Sequence, residues 1–396
     1  MKKLNLIICL LLASLGASAQ QALWGGAQII SPEVNNNKTV TFRLQAPEAK
    51  EVKVTGDFLP TEKIETPFGT SDAPGSAALT KNAEGVWEYT SEVLASELYS
   101  YTFLVDGLKI NDPSNVYMIR DVASVTSTFI VSGNPGDLYS VQSVPHGTVA
   151  RTWYHSNVLS KNRRLTIYTP PGYEEGKEKY PVFYLLHGMG GDEEAWIALG
   201  RTAQILDNLI AQGKAKPMIV VMTNGNVDQE AAPGESAEGL LKPTMQLPNT
   251  MNGKFEEHFP DVISYVESTY RTIAKKESRA IAGLSMGGFH SLHISRYYPD
   301  LFDYVGLFSA ATSVNDPKSS KVYANVESTL KTQFSKNPKL YWIAMGNTDF
   351  LYKNCVEYRA LLDKNNCKYI YRESEDGHIW KNWRIYLSEF VPMLFK

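Results

Sequence analysis

The sequence predicts a two-domain protein in which an all-β domain precedes an α/β domain with a mostly parallel sheet. Between residues 20 and 135, short segments alternate apolar and polar residues and are separated by turn signals, with no helical period among them. After residue 147, apolar strands alternate with amphipathic helical segments. This alternation is typical of a parallel sheet that is covered by helices on both faces.

The first domain is predicted to be an immunoglobulin-like β-sandwich over residues 20–135. Alternation is clear at 39–44, 51–54, 87–90 and 99–105, and the turn pair Asp106-Gly107 follows the last of these segments. Short alternating strands over a domain of this size favour a sandwich. Four aromatic residues are candidate sugar platforms, although core packing explains them better: Trp24, Phe58, Trp87 and Tyr101.

Residues 1–19 have the pattern of a signal peptide. Lys2 and Lys3 precede an apolar run over residues 4–15, and the small residues 17–19 suit a cleavage site. The apolar run is too short to span a bilayer, and no later segment is long enough, so we expect no membrane span and a periplasmic or extracellular protein. The net charge of −3 comes from interspersed acids and bases, which argues against nucleic acid as a partner.

A Gly- and Pro-containing stretch at 133–137 marks the predicted domain boundary, with a linker at 136–147 and the second domain at 148–396. In that domain we predict strands at 148–154, 164–168, 181–186 and 218–223, and helices near 202–212 and 262–270. The stretch 224–254 is predicted to be irregular, and loops of that length are usually functional or mobile.

The segment Gly283-Leu284-Ser285-Met286-Gly287 has the form of a nucleophile elbow, the strand-to-helix turn of α/β-hydrolases. A short apolar strand precedes it, and a helical pattern follows it until Pro299. The two glycines leave room for a strained turn, and the helix directs its positive dipole end at the serine. We therefore predict an α/β-hydrolase domain with Ser285 as its nucleophile.

Chain order selects the base, because these enzymes place the acid and then the histidine after the serine. Only His290, His293 and His378 follow Ser285. The first two lie on the helix that leaves the elbow, too near in sequence to fold back, and we expect them on a solvated helix face. His378 is therefore the predicted base, on a loop after a strand at 368–372, where open α/β sheets place their active sites.

Asp349 is the predicted acid. It follows an apolar strand at 340–345, so its carboxylate is expected at the same sheet edge as Ser285. Glu375 and Asp376 remain alternatives on the histidine's own loop, where the chain would have to double back sharply.

Two backbone N–H groups are predicted to stabilise the oxyanion. One is that of Met286, directly after the nucleophile. The other belongs to the glycine-rich segment 187–191, where we expect Met189, with Gly188 as the alternative. His187 is expected to be structural. No cofactor motif or metal-ligand set is present in the sequence, and this chemistry needs neither.

Four segments of the second domain together resemble carbohydrate esterase family 1: the oxyanion segment 184–196, the elbow 282–288, the acid loop 345–350 and the histidine loop 377–384. The resemblance covers about residues 145–396. The first domain resembles the early-set module of carbohydrate-binding module family 48 through segments such as 42–47, 54–58 and 103–107.

The resemblance implies an exported feruloyl esterase that releases hydroxycinnamates from arabinoxylan through a Ser-His-Asp triad and an acyl-enzyme. Its substrates would be feruloylated or acetylated xylan oligosaccharides. Trp196, Trp380 and Trp383 would wall a site for a flat phenolic acid, and the stretch 224–254 would lie on the sugar side. An acetyl xylan esterase, an enterochelin-type siderophore esterase and a non-catalytic carbohydrate-binding protein are the alternatives, and the oligomeric state stays open.

Overall fold

The computed structural model describes residues 29–66, 69–239, 244–245, 247–314, 317–318 and 320–396. The predicted signal peptide and Trp24 therefore lie outside the described residues. None of the described helices is long and apolar enough to cross a membrane.

The described residues of the first part of the chain form a series of short strands. They are β1 (Glu33–Val34), β2 (Val40–Gln45), β3 (Val52–Gly56), β4 (Glu62–Thr66), β5 (Gly69–Ala73), β6 (Ser76–Ala78), β7 (Thr80–Lys81), β8 (Val86–Thr90), β9 (Leu98–Val105), β10 (Leu108–Ile110), β11 (Met118–Asp121) and β12 (Ser124–Ile130). One antiparallel sheet has the order β1-β2-β8-β7, and a second has the order β11-β12-β9-β3-β6 with β10 beside β9. Strands β4 and β5 form a separate two-stranded sheet among the described residues.

A single apolar core joins these two sheets. In β3, Val52 and Val54 are buried while Lys53 between them is half-buried, as expected when side chains alternate between faces. Aromatic rings fill the core: Phe42 lies 4.9 Å from both Phe58 and Tyr101, measured between ring centroids. Three of the candidate sugar platforms, Phe58, Trp87 and Tyr101, thus belong to or pack against this core.

The second part of the chain forms one mixed eight-stranded sheet. Its strands are β13 (Thr148–Ser156), β14 (Lys161–Thr169), β15 (Val182–Leu186), β16 (Ile219–Thr223), β17 (Arg279–Leu284), β18 (Tyr304–Phe308), β19 (Leu340–Gly346) and β20 (Ile370–Ser374). The order is β13-β14-β16-β15-β17-β18-β19-β20. β13 and β14 are antiparallel to their neighbours, and the other six strands run parallel.

Helices cover both faces of this sheet. They are α1 (Gly136–Tyr139), α2 (Ala195–Ala198), α3 (Thr202–Ala211), α4 (Lys254–Thr269), α5 (Met286–Tyr297), α6 (Val326–Ser335), α7 (Tyr352–Lys364) and α8 (Trp380–Phe390), with 3₁₀ turns at Lys276–Ser278, Lys321–Tyr323 and Val391–Met393. In β17, Ile281 belongs to one apolar cluster, whereas Ala280 and Ala282 belong to another. Because successive strand residues point to opposite faces, each face has its own core.

Helix α5 is buried on all sides, which corrects the prediction of a solvated face for His290 and His293. Both histidines are fully buried. His290 Nδ1 lies 2.8 Å from the Glu256 carboxylate, and His293 Nδ1 accepts hydrogen bonds from the Arg296 guanidinium. These polar residues can lie inside because they have partners there.

The segment predicted as a linker is docked on the second domain. Its helix α1 places Tyr139 fully inside an apolar cluster of the second domain. The Asn208 amide of α3 donates hydrogen bonds to the Asp137, Leu138 and Ser140 carbonyls at 3.0–3.2 Å. In a flexible linker, these backbone carbonyls would accept hydrogen bonds from water instead.

A buried ion pair joins the two domains. Arg384 of α8 lies 2.9 Å from Glu97, which precedes β9, and both side chains are only 4% exposed. The guanidinium also donates hydrogen bonds to the Leu98 and Leu199 carbonyls. The Arg384 guanidinium therefore donates hydrogen bonds to both parts of the chain.

Replacing Arg384 by methionine should lower the free energy of unfolding by about 3–5 kcal/mol, because Glu97 would remain buried without its partner. Urea titration followed by tryptophan fluorescence measures the change. Arg43→Met is the matched control: Arg43 pairs with Glu33 and Glu88, which are 42% and 52% exposed. The control substitution should lower the free energy of unfolding by less than about 1 kcal/mol. Equal losses in the two variants would contradict a special role for the buried pair.

Candidate active site

Ser285 occupies a strained turn between β17 and α5. Its φ of 53° and ψ of −115° lie outside the regions that non-glycine residues ordinarily adopt. The surroundings fix this conformation: the Ser285 N–H donates to the Phe308 carbonyl, and its carbonyl accepts from Phe289 and Ala311. Strain that is held by neighbouring structure is typical of functional sites.

The two glycines of the predicted elbow are sterically required. A Cβ on Gly283 would lie 2.4 Å from the backbone carbon of Gly287. A Cβ on Gly287 would lie 2.3 Å from the Leu186 carbonyl oxygen. Since real Cβ atoms do not approach backbone so closely, only glycine lets α5 begin this close to the ends of β15 and β17.

The structure brings His378 and Asp349 together. His378 Nδ1 lies 2.9 Å and 3.1 Å from the two Asp349 carboxylate oxygens. The carboxylate is fully buried and also accepts a hydrogen bond from the Leu351 N–H. The alternative acid Asp376 instead pairs with Lys381 at 2.8 Å. Among the described residues, only Asp349 gives His378 a carboxylate partner.

Ser285 and His378 line one cavity of about 960 Å³. Within the described part of the chain, no direct hydrogen bond joins the serine hydroxyl to the imidazole, and such bonds often tighten only when substrate binds. The imidazole is held between the rings of Phe350 and Trp383, with centroids 4.5 Å and 5.0 Å away. The Asn382 amide fixes its loop by donating to two loop carbonyls.

The predicted oxyanion donors lie beside Ser285. Met286 is the first residue of α5, so its N–H has no acceptor within the helix. Gly188 and Met189 both line the cavity. A Cβ on Gly188 would lie 3.3 Å from the Ser285 Cβ, which shows how closely this loop approaches the serine. Both loop residues therefore stay candidates for the second donor.

His187 stabilises the loop that carries Gly188 and Met189. Its Nε2 accepts a hydrogen bond from the Gly225 N–H at 2.8 Å, so the proton resides on Nδ1, which lies 2.7 Å from the Gly188 carbonyl. Complete burial lowers the pKa of His187 to about 4, partly opposed by the hydrogen bond to Gly188. The neutral ring therefore joins two loops.

Of the three tryptophans predicted to contact substrate, Trp380 and Trp383 line the cavity and Trp196 does not. The prediction for Trp196 is wrong. Its ring is 1% exposed, and its N–H donates to the Leu186 carbonyl at the end of β15. It packs edge-to-face behind Trp380, with ring centroids 5.3 Å apart.

The antiparallel domain also contributes to the cavity, although no pattern in the sequence predicts this. Arg120, Asp121 and Val122 line it from the β11–β12 hairpin. Arg120 pairs with the buried carboxylate of Asp192 at 2.5 Å, next to the glycine-rich segment 187–191. Burial raises the pKa of the Asp121 carboxyl, against the effect of a hydrogen bond from Trp380. No local pattern predicts contacts between residues that lie so far apart in sequence.

The irregular stretch that follows β16 forms another side of the cavity, through Ala232, Pro233, Glu235, Met245 and Met251.

A hydroxyl, an imidazole paired with a carboxylate and free backbone N–H groups are the components of acyl transfer. Within the described residues, no group of three His, Cys, Asp or Glu side chains is arranged to hold a metal ion.

Comparison with known proteins identifies the family of the chain. The "Esterase" family model matches residues 156–394. An endo-1,4-beta-xylanase/feruloyl esterase of Xylanibacter ruminicola is 32% identical over 301 residues, which are 73% of this chain and 38% of that protein. The chain thus spans well under half the length of this curated relative.

Solved structures show the same fold. A ferulic acid esterase of the anaerobic fungus Anaeromyces mucronatus has a TM-score of 0.55 at 27% identity, over 66% of this chain and 96% of that chain. The enterobactin esterase of Shigella flexneri has a TM-score of 0.58 at 16% identity, over 89% of this chain and 92% of that chain. At this identity the second likeness concerns the fold alone, and its coverage extends into the antiparallel domain.

Acidification should destabilise the protein through His187. Its pKa is about 4 in the folded protein and about 6.5 when unfolded, so between these values the unfolded chain binds the proton more tightly. The free energy of unfolding should fall as pH decreases from 6.5 to 4, with about 3 kcal/mol from this residue. Urea titrations across this range measure the slope.

His187→Gln should reduce that slope, because the variant has no proton to bind at this position. The exposed His155→Gln is the control and should retain the wild-type dependence. If the slope in His187→Gln equals that of the wild type, His187 is not the source of the acid sensitivity.

Proposed function

Because the chain belongs to the esterase family, we propose that it is a serine carboxylic ester hydrolase with Ser285 as nucleophile, His378 as general base and Asp349 as the orienting acid. The observation that carries this proposal is the contact of His378 Nδ1 with the buried Asp349 carboxylate, on the wall of the cavity that also exposes the strained Ser285.

In the proposed reaction, Ser285 Oγ attacks the ester carbonyl carbon while His378 Nε2 accepts the hydroxyl proton. Asp349 holds the other ring nitrogen and stabilises the imidazolium that forms. The Met286 N–H, together with that of Met189 or Gly188, donates to the oxyanion. The bond to the alcohol then breaks as His378 protonates it. Water attacks the acyl-enzyme with the same histidine as base, the bond to Ser285 Oγ breaks as His378 returns the proton to Oγ, and the carboxylic acid is released.

The proposed acyl group is a hydroxycinnamate, carried on arabinoxylan. The cavity is large, and the rings of Phe350, Trp380 and Trp383 offer flat apolar walls for a phenolic acid. An acetyl group would leave most of such a cavity unused. The names of the bacterial and fungal relatives, a xylanase/feruloyl esterase and a ferulic acid esterase, support the same acyl group.

For the antiparallel domain we propose an immunoglobulin-like sandwich of the kind found in carbohydrate-binding module family 48, with domain limits at 20–135 and 148–396. Its β11–β12 hairpin supports a role as a structural partner of the catalytic domain, because Arg120 holds Asp192 beside the oxyanion loop. Export of the protein stays a prediction from residues 1–19.

Ser285→Ala and Asp349→Asn should each reduce kcat for methyl ferulate by about 10³-fold or more, because the first removes the nucleophile and the second the group that orients His378. Asp376→Asn is the matched control. Its carboxylate pairs with Lys381, so its kcat should change only a few-fold. If Asp376→Asn loses most of its kcat while Asp349→Asn stays active, Asp376 and not Asp349 is the orienting acid.

The purified protein should release ferulate from feruloylated arabinoxylan oligosaccharides faster than it releases acetate from acetylated xylan oligosaccharides. Chromatography of the products with both substrates at equal ester concentration measures the two rates. Deacetylation without action on methyl ferulate would identify an acetyl xylan esterase instead.

A further inference from the structure

We propose that Trp153 and the cleft beside it bind the sugar chain that carries the ester, as a continuation of the catalytic cavity. This inference rests on the proposed function and adds a carbohydrate subsite to it. The ligand class is a neutral pyranose chain of the xylan type.

Strand β13 leads from the catalytic cavity to this cleft. Along it Arg151, Trp153 and His155 are exposed, while Tyr154 and Ser156 are buried, so the exposed three share one face. Arg151 lines the catalytic cavity, and Trp153 lines the neighbouring cleft. Residues two apart on a strand face are separated by about 7 Å, so the two sites adjoin.

The cleft has a volume of about 590 Å³ and shares Glu235 with the catalytic cavity. Its other lining residues include Asn162 of β14 and Glu230 and Ser236 of the stretch after β16. A substrate whose acyl group lies beside Ser285 must extend its alcohol portion out of the cavity. The cleft offers a direct continuation past Glu235.

The side chains of the cleft suit a sugar. Trp153 is 44% exposed and is the only exposed tryptophan in the described part of the chain. An indole ring offers an apolar surface to the C–H face of a pyranose. Around it, the Asn162 amide, the Ser236 hydroxyl and the two carboxylates can hydrogen-bond sugar hydroxyls. The carboxylates would repel an anionic ligand, which favours a neutral chain.

The cleft is also held in place before any ligand binds. The Arg164 guanidinium, 4% exposed, contacts Glu235 at 2.6 Å and Glu193 at 2.7 Å. The backbone N–H of Arg164 donates a hydrogen bond to the backbone carbonyl of Glu230 at 2.8 Å. The stretch that forms one wall is thus fixed to β14, which forms the other. A preformed site loses less entropy when it binds a ligand.

Trp153→Ala tests the proposal. For a feruloylated arabinoxylo-oligosaccharide, KM should rise about 3–10-fold through loss of the ring surface. For methyl ferulate, which has no sugar, kcat and KM should stay at wild-type values, and this also shows that the variant is folded. Trp153→Tyr should restore most of the affinity. Ile370→Ala, an exposed apolar residue of β20 at the opposite sheet edge, is the control and should leave both substrates unaffected.

Calorimetric titration with unsubstituted arabinoxylo-oligosaccharides provides a readout that does not depend on turnover. Binding to wild-type protein that is lost in Trp153→Ala supports the subsite. Unchanged KM for the oligosaccharide ester together with unchanged binding overturns it. If the wild-type protein does not hydrolyse methyl ferulate, the proposed function is contradicted. The calorimetric titration still tests, independently of that result, whether the cleft binds the sugar chain.

Discussion

The close approach of helix α5 to the ends of β15 and β17 is the constraint on which the site depends. Gly283 and Gly287 permit backbone contacts that no side chain could accommodate, and these contacts force Ser285 into its unusual backbone conformation. The same geometry leaves the Met286 N–H free and places Gly188 beside the serine. The proposed nucleophile and the proposed oxyanion donors are thus consequences of one packing arrangement.

The remaining parts of the site come from loops at the carboxyl ends of parallel strands, which is where this class of sheet places its ligands. Asp349 follows β19 and His378 follows β20, so adjacent strands bring the proposed acid and the proposed base into contact. The antiparallel domain closes the same cavity through Arg120 and Val122. The residues proposed to carry out the reaction therefore lie in the second part of the chain, whereas both parts contribute to the cavity wall.

Chain order and strand position were sufficient to predict that His378 and Asp349 lie close together, because parallel strands end at a common edge of the sheet. Burial of side chains was harder to predict. His290 and His293 look solvated from their spacing, yet internal partners such as Glu256 allow them to be buried. Trp196 looks like a wall of the site, yet its N–H satisfies a strand carbonyl. Such outcomes depend on tertiary neighbours that the local sequence does not specify.

The docked junction between the domains has a consequence for how such a chain can evolve. Leu98, Ile119 and Ile130 of the antiparallel domain pack into an apolar cluster of the second domain, and Arg384 finds its carboxylate there. Recombination that exchanged the antiparallel domain would expose this apolar surface and leave the Arg384 charge buried without its carboxylate partner. The two parts of the chain are therefore expected to stabilise each other, so that the first could be exchanged only with compensating changes at this junction.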